Sequence, residues 1–375
     1  MTPEAEYALD ALLDALGLPF DERAREAARP QELEEVFRLL TLAPERDAER
    51  DEHGRPRPPA HPPGPRVALL AGDLGRRLGV ERRGYPGGER FLVALTHDVD
   101  LLGAGGVATA IRKLGGGIVR RSTRRLREGS AFLLDAVSGR DPAYPLDELV
   151  AAERGHRRLS TCFFLVRQED PHDGYPERYQ PALRRAIERA AAAGLEIALH
   201  ASYGSREREG GVAEEAELLA EVQGLRHHYL RSAPERLAAE LRRAGLRYDS
   251  SIGWPSLTGL RAGTPYPYRL WDAERREAGG WELPLAVMDA TLAEERYLHL
   301  GAEHAFDVAA SALEPVAEHG GAVALLWHPP SHHPRLSNGY AEVYRRLLAW
   351  IEERGGWAGT AAETLDRWQQ RRSST

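Results

Sequence analysis

The stretch "FLVALTHDVD" (residues 91–100) decides how this chain is read. Its first five residues, Phe91 to Leu95, are all apolar and predict a short buried strand. The run passes without a break into Thr96, His97, Asp98 and Asp100. Ionisable groups are costly to bury at the edge of a core unless they are paired. A strand that ends this way delivers charge to a site.

Working outward, apolar and β-prone runs recur at 159–166, 195–199, 246–251, 281–287 and 322–328, and "LRHHYLR" (225–231) reads as a further short strand. Stretches with helical spacing lie between them, at 176–193, 211–224, 233–244, 302–319 and 340–353. Strands alternating with helices predict parallel β/α units. About seven such strands suffice for a closed or nearly closed barrel, and in a barrel the C-terminal strand ends share one face. His97, Asp98, Asp100, His200, Asp249 and His328 all fall at or just past those ends.

The chain has 375 residues. That exceeds an ordinary domain of ~100–200 residues but accommodates a barrel of ~250 residues with extra segments. Residues 4–40 carry helical spacing through Leu9, Leu12, Leu13 and Leu16, then Leu33, Val36, Phe37 and Leu40. "APERDAERDEHGRPRPPAHPPGPR" (43–66) is rich in proline and charge and reads as a linker or long loop, before helical spacing resumes at 67–79. The expected organisation is a helical extension with a Pro-rich linker over 1–90 and a barrel domain over 91–375.

A net charge of −7 and a pI near 6.1 argue against a general nucleic-acid binder. The basic stretch 111–129 reads as a solvated helix face or loop. The single cysteine, Cys162, excludes an intrachain disulfide and a Cys-rich zinc site and reads as a small buried hydrophobe. The first residues lack a basic flank followed by a long apolar run, and no run approaches ~18 apolar residues. The expectation is a cytoplasmic protein with no signal peptide and no transmembrane segment.

Carboxylates and imidazoles converging at one point suit a divalent metal. Zinc takes imidazole nitrogen and carboxylate oxygen, and a catalytic site leaves a position open for water. A carboxylate outside the ligand set can act as base, and a His on the opposite side can protonate a leaving group.

The stretches "LTHDVD" (95–100), "LHASYGS" (199–205), "LRHHYLR" (225–231), "YDSSIGW" (248–254), "GLRAGTPYPYRLWD" (259–272), "LPLAVMDATL" (283–292) and "LLWHPP" (325–330), taken in order, resemble the polysaccharide deacetylase family (carbohydrate esterase family 4 and relatives), in a bacterial subgroup that opens with "THDVD". The resemblance covers about residues 91 to 370. It implies a distorted (β/α) barrel of seven strands. It implies Asp98 as general base, Arg226 orienting it, His328 as general acid, and Asp100 and His200 as ligands of a divalent metal, zinc first. The implied reaction is hydrolysis of an N-acetyl group on a sugar or glycan precursor. Where the family's second motif carries a second His, this chain has Gly204. His228 or His97 then supplies a third ligand, His228 being the first choice, or the site binds metal weakly or not at all. The family includes metal-independent relatives acting on other amide bonds. The competing readings are therefore a metal-independent C–N hydrolase and a catalytically silent glycan-binding protein.

Several residues carry plainer readings. Neighbours on a strand alternate faces, so one of His227 and His228 turns into the site and the other away. His97 is as well explained by a hydrogen bond to a neighbouring loop. His332 and His333 read as loop residues near the substrate mouth. Asp249 reads as half of a buried Arg–Asp pair, and Arg261 as that kind of partner or as a contact to substrate or to the catalytic carboxylate. Tyr203, Trp254, Tyr266 and Tyr268 are candidates for stacking on a sugar ring, with packing as the alternative.

Overall fold

The computed structural model describes residues 1–373 apart from 104–109, 112, 113, 116, 117, 120–122, 157 and 175. The basic stretch 111–129 falls in part outside the described residues. The chain opens with helices α1 (Pro3–Leu16), α2 (Glu22–Ala27), α3 (Pro30–Leu40) and α4 (Arg66–Leu78). Thr2 caps α1 by accepting the Ala5 N–H, and Gly17 ends it at φ 74°, in the left-handed region that suits glycine.

The strands are β1 (Leu92–Val99), β2 (Thr161–Leu165), β3 (Glu196–Ala201), β4 (Gly224–His227), β5 (Tyr248–Asp249), β6 (Tyr268–Asp272), β7 (Glu277–Glu282), β8 (Leu285–Met288), β9 (Ala322–Leu326) and β10 (Trp357–Gly359). Further helices among the described residues are α5 (Thr123–Val137), α6 (Leu146–Gly155), α7 (Pro176–Ala192), α8 (Gly211–Ala216), α9 (Pro234–Ala244), α10 (Asp289–Ala293), α11 (Ala302–His319), α12 (Tyr340–Glu353) and α13 (Ala361–Ser373).

β1 to β5 pair in parallel and in order, and β9 pairs with the other side of β1. The chain from Glu277 to Met288 completes the ring, because β7 pairs with β5 and β8 pairs with β9. Pro284 separates the two halves: it has no N–H to give to a ladder, while its carbonyl still accepts from Ala324 N at 2.8 Å. The run 281–287, expected as one strand, is thus two strands serving two neighbours. Counted by position, the curled sheet has the seven members of a (β/α)7 barrel. β6 adds an antiparallel hairpin on β7, and β10 pairs with the start of β1.

Inside the ring, the Tyr248 ring lies so close to Gly224 that a Cβ there would sit 2.1 Å from it, so this glycine is required by packing. One hydrophobic cluster runs from Leu9, Leu12 and Leu13 of α1 and Leu70 and Leu74 of α4 through Trp368 of α13 to Leu92 and Phe163 of the barrel. The helical extension is therefore packed on the barrel rather than tethered to it. Among the described residues no helix is long and apolar enough to cross a membrane.

Candidate active site

Strand register places the polar groups. Asp98 lies beside Phe163, Leu165 beside His200, and His200 beside Arg226. Residues paired in register share a face, and residues two apart share it again. Asp98, His200 and Arg226 therefore all point to the barrel interior, and His97 and His227 point out. The structure agrees at each position. His97 meets Trp327 O at 2.5 Å and Glu153 Oε1 at 2.8 Å, behind the sheet. His227 meets Glu240 Oε2 at 3.1 Å. His97 therefore takes no part in the ligand cluster.

Asp98 is 3% exposed, and Arg226 Nη1 donates to its Oδ1 at 2.8 Å. The guanidinium is held on every side. Nη1 also reaches Thr96 Oγ1 at 3.0 Å, Nε donates to Ser250 O and Nη2 to Ser250 Oγ, each at 2.8 Å, and the group lies 4.3 Å from the centre of the Phe163 ring. A planar fork fixed by four oxygens can hold a carboxylate in one orientation. Asp98 Oδ2, the free oxygen, stands 3.7 Å from His200 Nε2.

Asp100, His200 and His228 each offer one ligand atom within 4.8 Å of the others. His200 Nδ1 donates to Arg226 O at 2.9 Å, and His228 Nδ1 donates to Asp173 Oδ1 at 2.8 Å. These bonds commit both Nδ1 atoms, so both Nε2 atoms face Asp100 Oδ1, at 3.1 and 3.9 Å. Among the described residues no donor bonds Asp100 Oδ1 in acceptable geometry, although that atom is buried. Lone pairs from two imidazoles and a carboxylate converge on one point and call for a shared cation. Fixing a ligating imidazole through its other nitrogen is the usual support of a metal site. The residues present therefore fit a divalent ion with zinc-type N and O donors. Burial pushes the Asp100 carboxyl up, but His200, His228 and His328 outweigh it and hold it well below the usual carboxylate range. His200 is disfavoured as a cation by burial, yet Asp98 and then Asp100 raise it above the ordinary histidine value.

His328 follows β9 and reaches in from the opposite side, with Nε2 3.6 Å from Asp100 Oδ2. Asp289, the first residue of α10, accepts from His328 Nδ1 at 2.6 Å and from His328 N at 3.0 Å. Burial lowers this imidazole, but the Asp289 carboxylate, with Asp100 and Asp98, more than reverses that and raises it to about 10.

These groups border a cavity of about 220 Å³ whose outer wall includes Arg55, Tyr229, Arg296, Tyr297 and Met288. All six sequence-predicted site residues (Asp98, Asp100, His200, Arg226, His228 and His328) line this cavity or bond a residue that does. Other expectations change. Asp249 bonds Ser251 N and Oγ rather than an arginine. Arg261 pairs with Glu45 of the N-terminal segment at 2.7 Å rather than with Asp98. Trp254, Tyr266 and Tyr268 are buried, Tyr266 stacking on Trp368, and none lines the site cavity. Tyr203 does not line the cavity either; it stacks on His172, which does. His332 and His333 are buried as well, His333 bonding Asp135 at 2.8 Å. A Cβ at Gly204 meets nothing within 4 Å among the described residues, so no packing demand seen there explains the glycine. Sequence reasoning missed Asp173, Asp289 and Arg55. Asp289 lies inside "LPLAVMDATL", and an Asp directly after a barrel strand was the available signal.

A scan against protein-family models matches none, and no curated protein matches the chain. Among solved structures, the chain is similar to a protein assigned as a polysaccharide deacetylase from Mycobacterium smegmatis, at 17% identity and a TM-score of 0.50 over 77% of this chain and 93% of that one. It is also similar to an allantoinase, at 14% identity and a TM-score of 0.51 over 88% of this chain and 100% of that one. Likeness at such identities concerns the fold. The chain thus has the distorted (β/α) barrel of the polysaccharide deacetylase type, a fold it shares with an allantoinase.

Proposed function

We propose that this chain is a hydrolase of carbon–nitrogen amide bonds that removes N-acetyl groups from a sugar or glycan precursor. One observation carries the reading: an Arg-held carboxylate and an Asp-held imidazole stand on either side of a three-residue N/O ligand cluster, at the strand ends of a barrel. Asp100, His200 and His228 would hold a divalent metal, zinc by donor type. Such an ion, when bound, lowers the pKa of water and polarises a carbonyl oxygen.

The chain's own residues supply the proton transfers. Asp98 is the general base: Arg226 occupies its Oδ1, leaving Oδ2 to take a proton from a nucleophilic water in the cavity. His328 is the general acid. Asp289 holds its Nδ1–H, which aims Nε2 at the cavity, and the raised proton affinity keeps a proton there for the departing amine. Arg226 is a positioning residue: it touches Asp98 and not the cavity. Asp173 and Asp289 orient His228 and His328 through the far ring nitrogens.

The test is acetate release from N-acetylglucosamine oligomers by metal-free protein before and after zinc is added. Zinc-dependent release that is lost in Asp98→Asn supports the reading. The allantoinase neighbour and Gly204 favour a second reading, a C–N hydrolase of another amide substrate. Release of product from a cyclic ureide that survives chelation, with N-acetyl sugars inert, would support that one instead.

A further inference from the structure

The Pro-rich segment 43–66 reaches the active site. Within it Asp51 to Arg55 form a compact turn: Asp51 N donates to Arg55 O, Gly54 N donates to Asp51 O, and Asp51 Oδ1 accepts from the N–H groups of His53 and Arg55, all at 2.9 Å. The turn presents Arg55, only 5% exposed, to the cavity wall. Arg55 Nε donates to Asp51 Oδ2 at 2.8 Å, Nη1 to Tyr229 O at 2.8 Å and Nη2 to the Tyr297 hydroxyl at 3.1 Å.

The residue it grips is unusual. Tyr229 and Leu230 lie at φ 60° and 55°, two successive non-glycine residues in the left-handed region, directly after His228. Such backbone persists only where its surroundings impose it, and it gathers at functional sites. Here the constraint is reciprocal. Arg55 holds the carbonyl of Tyr229, and Arg231 returns across the same gap to donate to His53 O at 2.9 Å and to Tyr203 O at 3.0 Å. The His53 ring lies 4.6 Å from that of Tyr229, which itself lies 4.6 Å from His228.

We propose that the 51–55 turn is a built-in wall of the active site and that Arg55 is a positioning residue, fixing the left-handed turn that aims His228 at Asp100 and His200. The effect on metal binding rests on the reading of those three residues as ligands. The clamp itself does not.

The experiment uses the full chain, metal-free, with Arg55→Ala, Arg55→Lys and the milder Asp51→Asn. Hydrogen exchange is read over 224–233, and zinc affinity is read by titration with zinc chloride. The expected result for Arg55→Ala is at least tenfold faster exchange at 229–231, with the barrel strands unchanged, and a zinc Kd raised ~10–100-fold, the usual effect of losing an outer support. Arg55→Lys behaves like Arg55→Ala, because an ammonium cannot serve Asp51, Tyr229 and Tyr297 at once. Asp51→Asn moves both readouts in the same direction by less, which keeps the test decisive if Arg55→Ala fails to fold. Exchange and zinc affinity within twofold of wild type in the folded variants would overturn the proposal. A wild-type chain that binds no zinc would overturn the ligand reading; exchange alone would then decide the clamp, faster exchange supporting it and unchanged exchange refuting it.

Discussion

Replacing Arg226 with Met removes the charge that Asp98 faces while keeping most of the side-chain volume. Both groups are buried, and the guanidinium gives its donors to Asp98, Thr96 and Ser250. Breaking a buried ion pair from one side costs about 3–5 kcal/mol, because the remaining charge stays desolvated. An unfolding entropy of about 2.1 cal/mol/K per residue makes roughly 0.8 kcal/mol/K for a chain of this length, so Tm should fall by about 4–6 °C. Differential scanning calorimetry of metal-free protein measures it. The double variant Asp98→Asn/Arg226→Met should melt higher than the sum of the two single losses predicts, with a coupling of about 1–3 kcal/mol. Arg226→Lys should recover little, since one ammonium cannot bond Asp98 and both oxygens of Ser250 together. An Arg226→Met protein melting within about 1 °C of wild type, or additive losses in the cycle, would refute the view that this pair is the fixed support of the base.

Asp289→Asn should lower the His328 titration from about 10, because the carboxylate that most raises it becomes a neutral amide. The sign follows from the raised value: the stability that protonated His328 contributes is present below its unfolded pKa and lost as pH rises through about 10, and in the variant that loss comes earlier. Histidine NMR titration reads the shift, and the alkaline limb of any pH–rate profile should move with it. Glu282 is pushed well above the usual carboxyl range by burial and then by Asp249, its register partner on β5. The stability it contributes is full below its unfolded pKa and is lost as pH rises toward the folded one, so Glu282→Gln should gain Tm on wild type as pH increases from 5 to 9; a constant difference would refute the assignment. Glu45→Ala leaves Arg261 buried without its carboxylate. A loss of about 1–3 kcal/mol is expected after discounting for partial exposure, with faster proteolysis across 46–64; cleavage at the wild-type rate would count against the docking of that segment.

The barrel and the convergence of its polar groups were legible because both are local patterns. Several of the apolar runs ended in His or Asp, and the two-residue period of a strand was enough to divide His227 from His228, whereas His97 was left open as a third ligand until its outward-facing partners were seen. What escaped depends on long-range pairing. Asp173 supports His228 from 55 positions away and Asp289 supports His328 from 39, distances over which no spacing rule operates. Arg55 lies in a stretch so rich in proline and charge that composition argued for solvent, yet its charge is satisfied by a neighbouring Asp and a strained carbonyl. The helix expected over 211–224 stops at Ala216, and Gly224, the last residue of that range, instead opens β4 beside the Tyr248 ring. Pro284 was visible in the run 281–287, and its meaning became clear only once β5 and β9 were known to flank its two sides.

The proposed chemistry depends on Asp100, His200 and His228 holding one divalent metal together. The most direct measurement is the metal content of the purified chain after zinc reconstitution and dialysis, beside Asp100→Ala, His200→Ala and His228→Ala. Close to one zinc per wild-type chain is expected, lost in all three variants, with folding retained by circular dichroism. No bound metal in the wild-type chain, or full retention in His228→Ala, would contradict it.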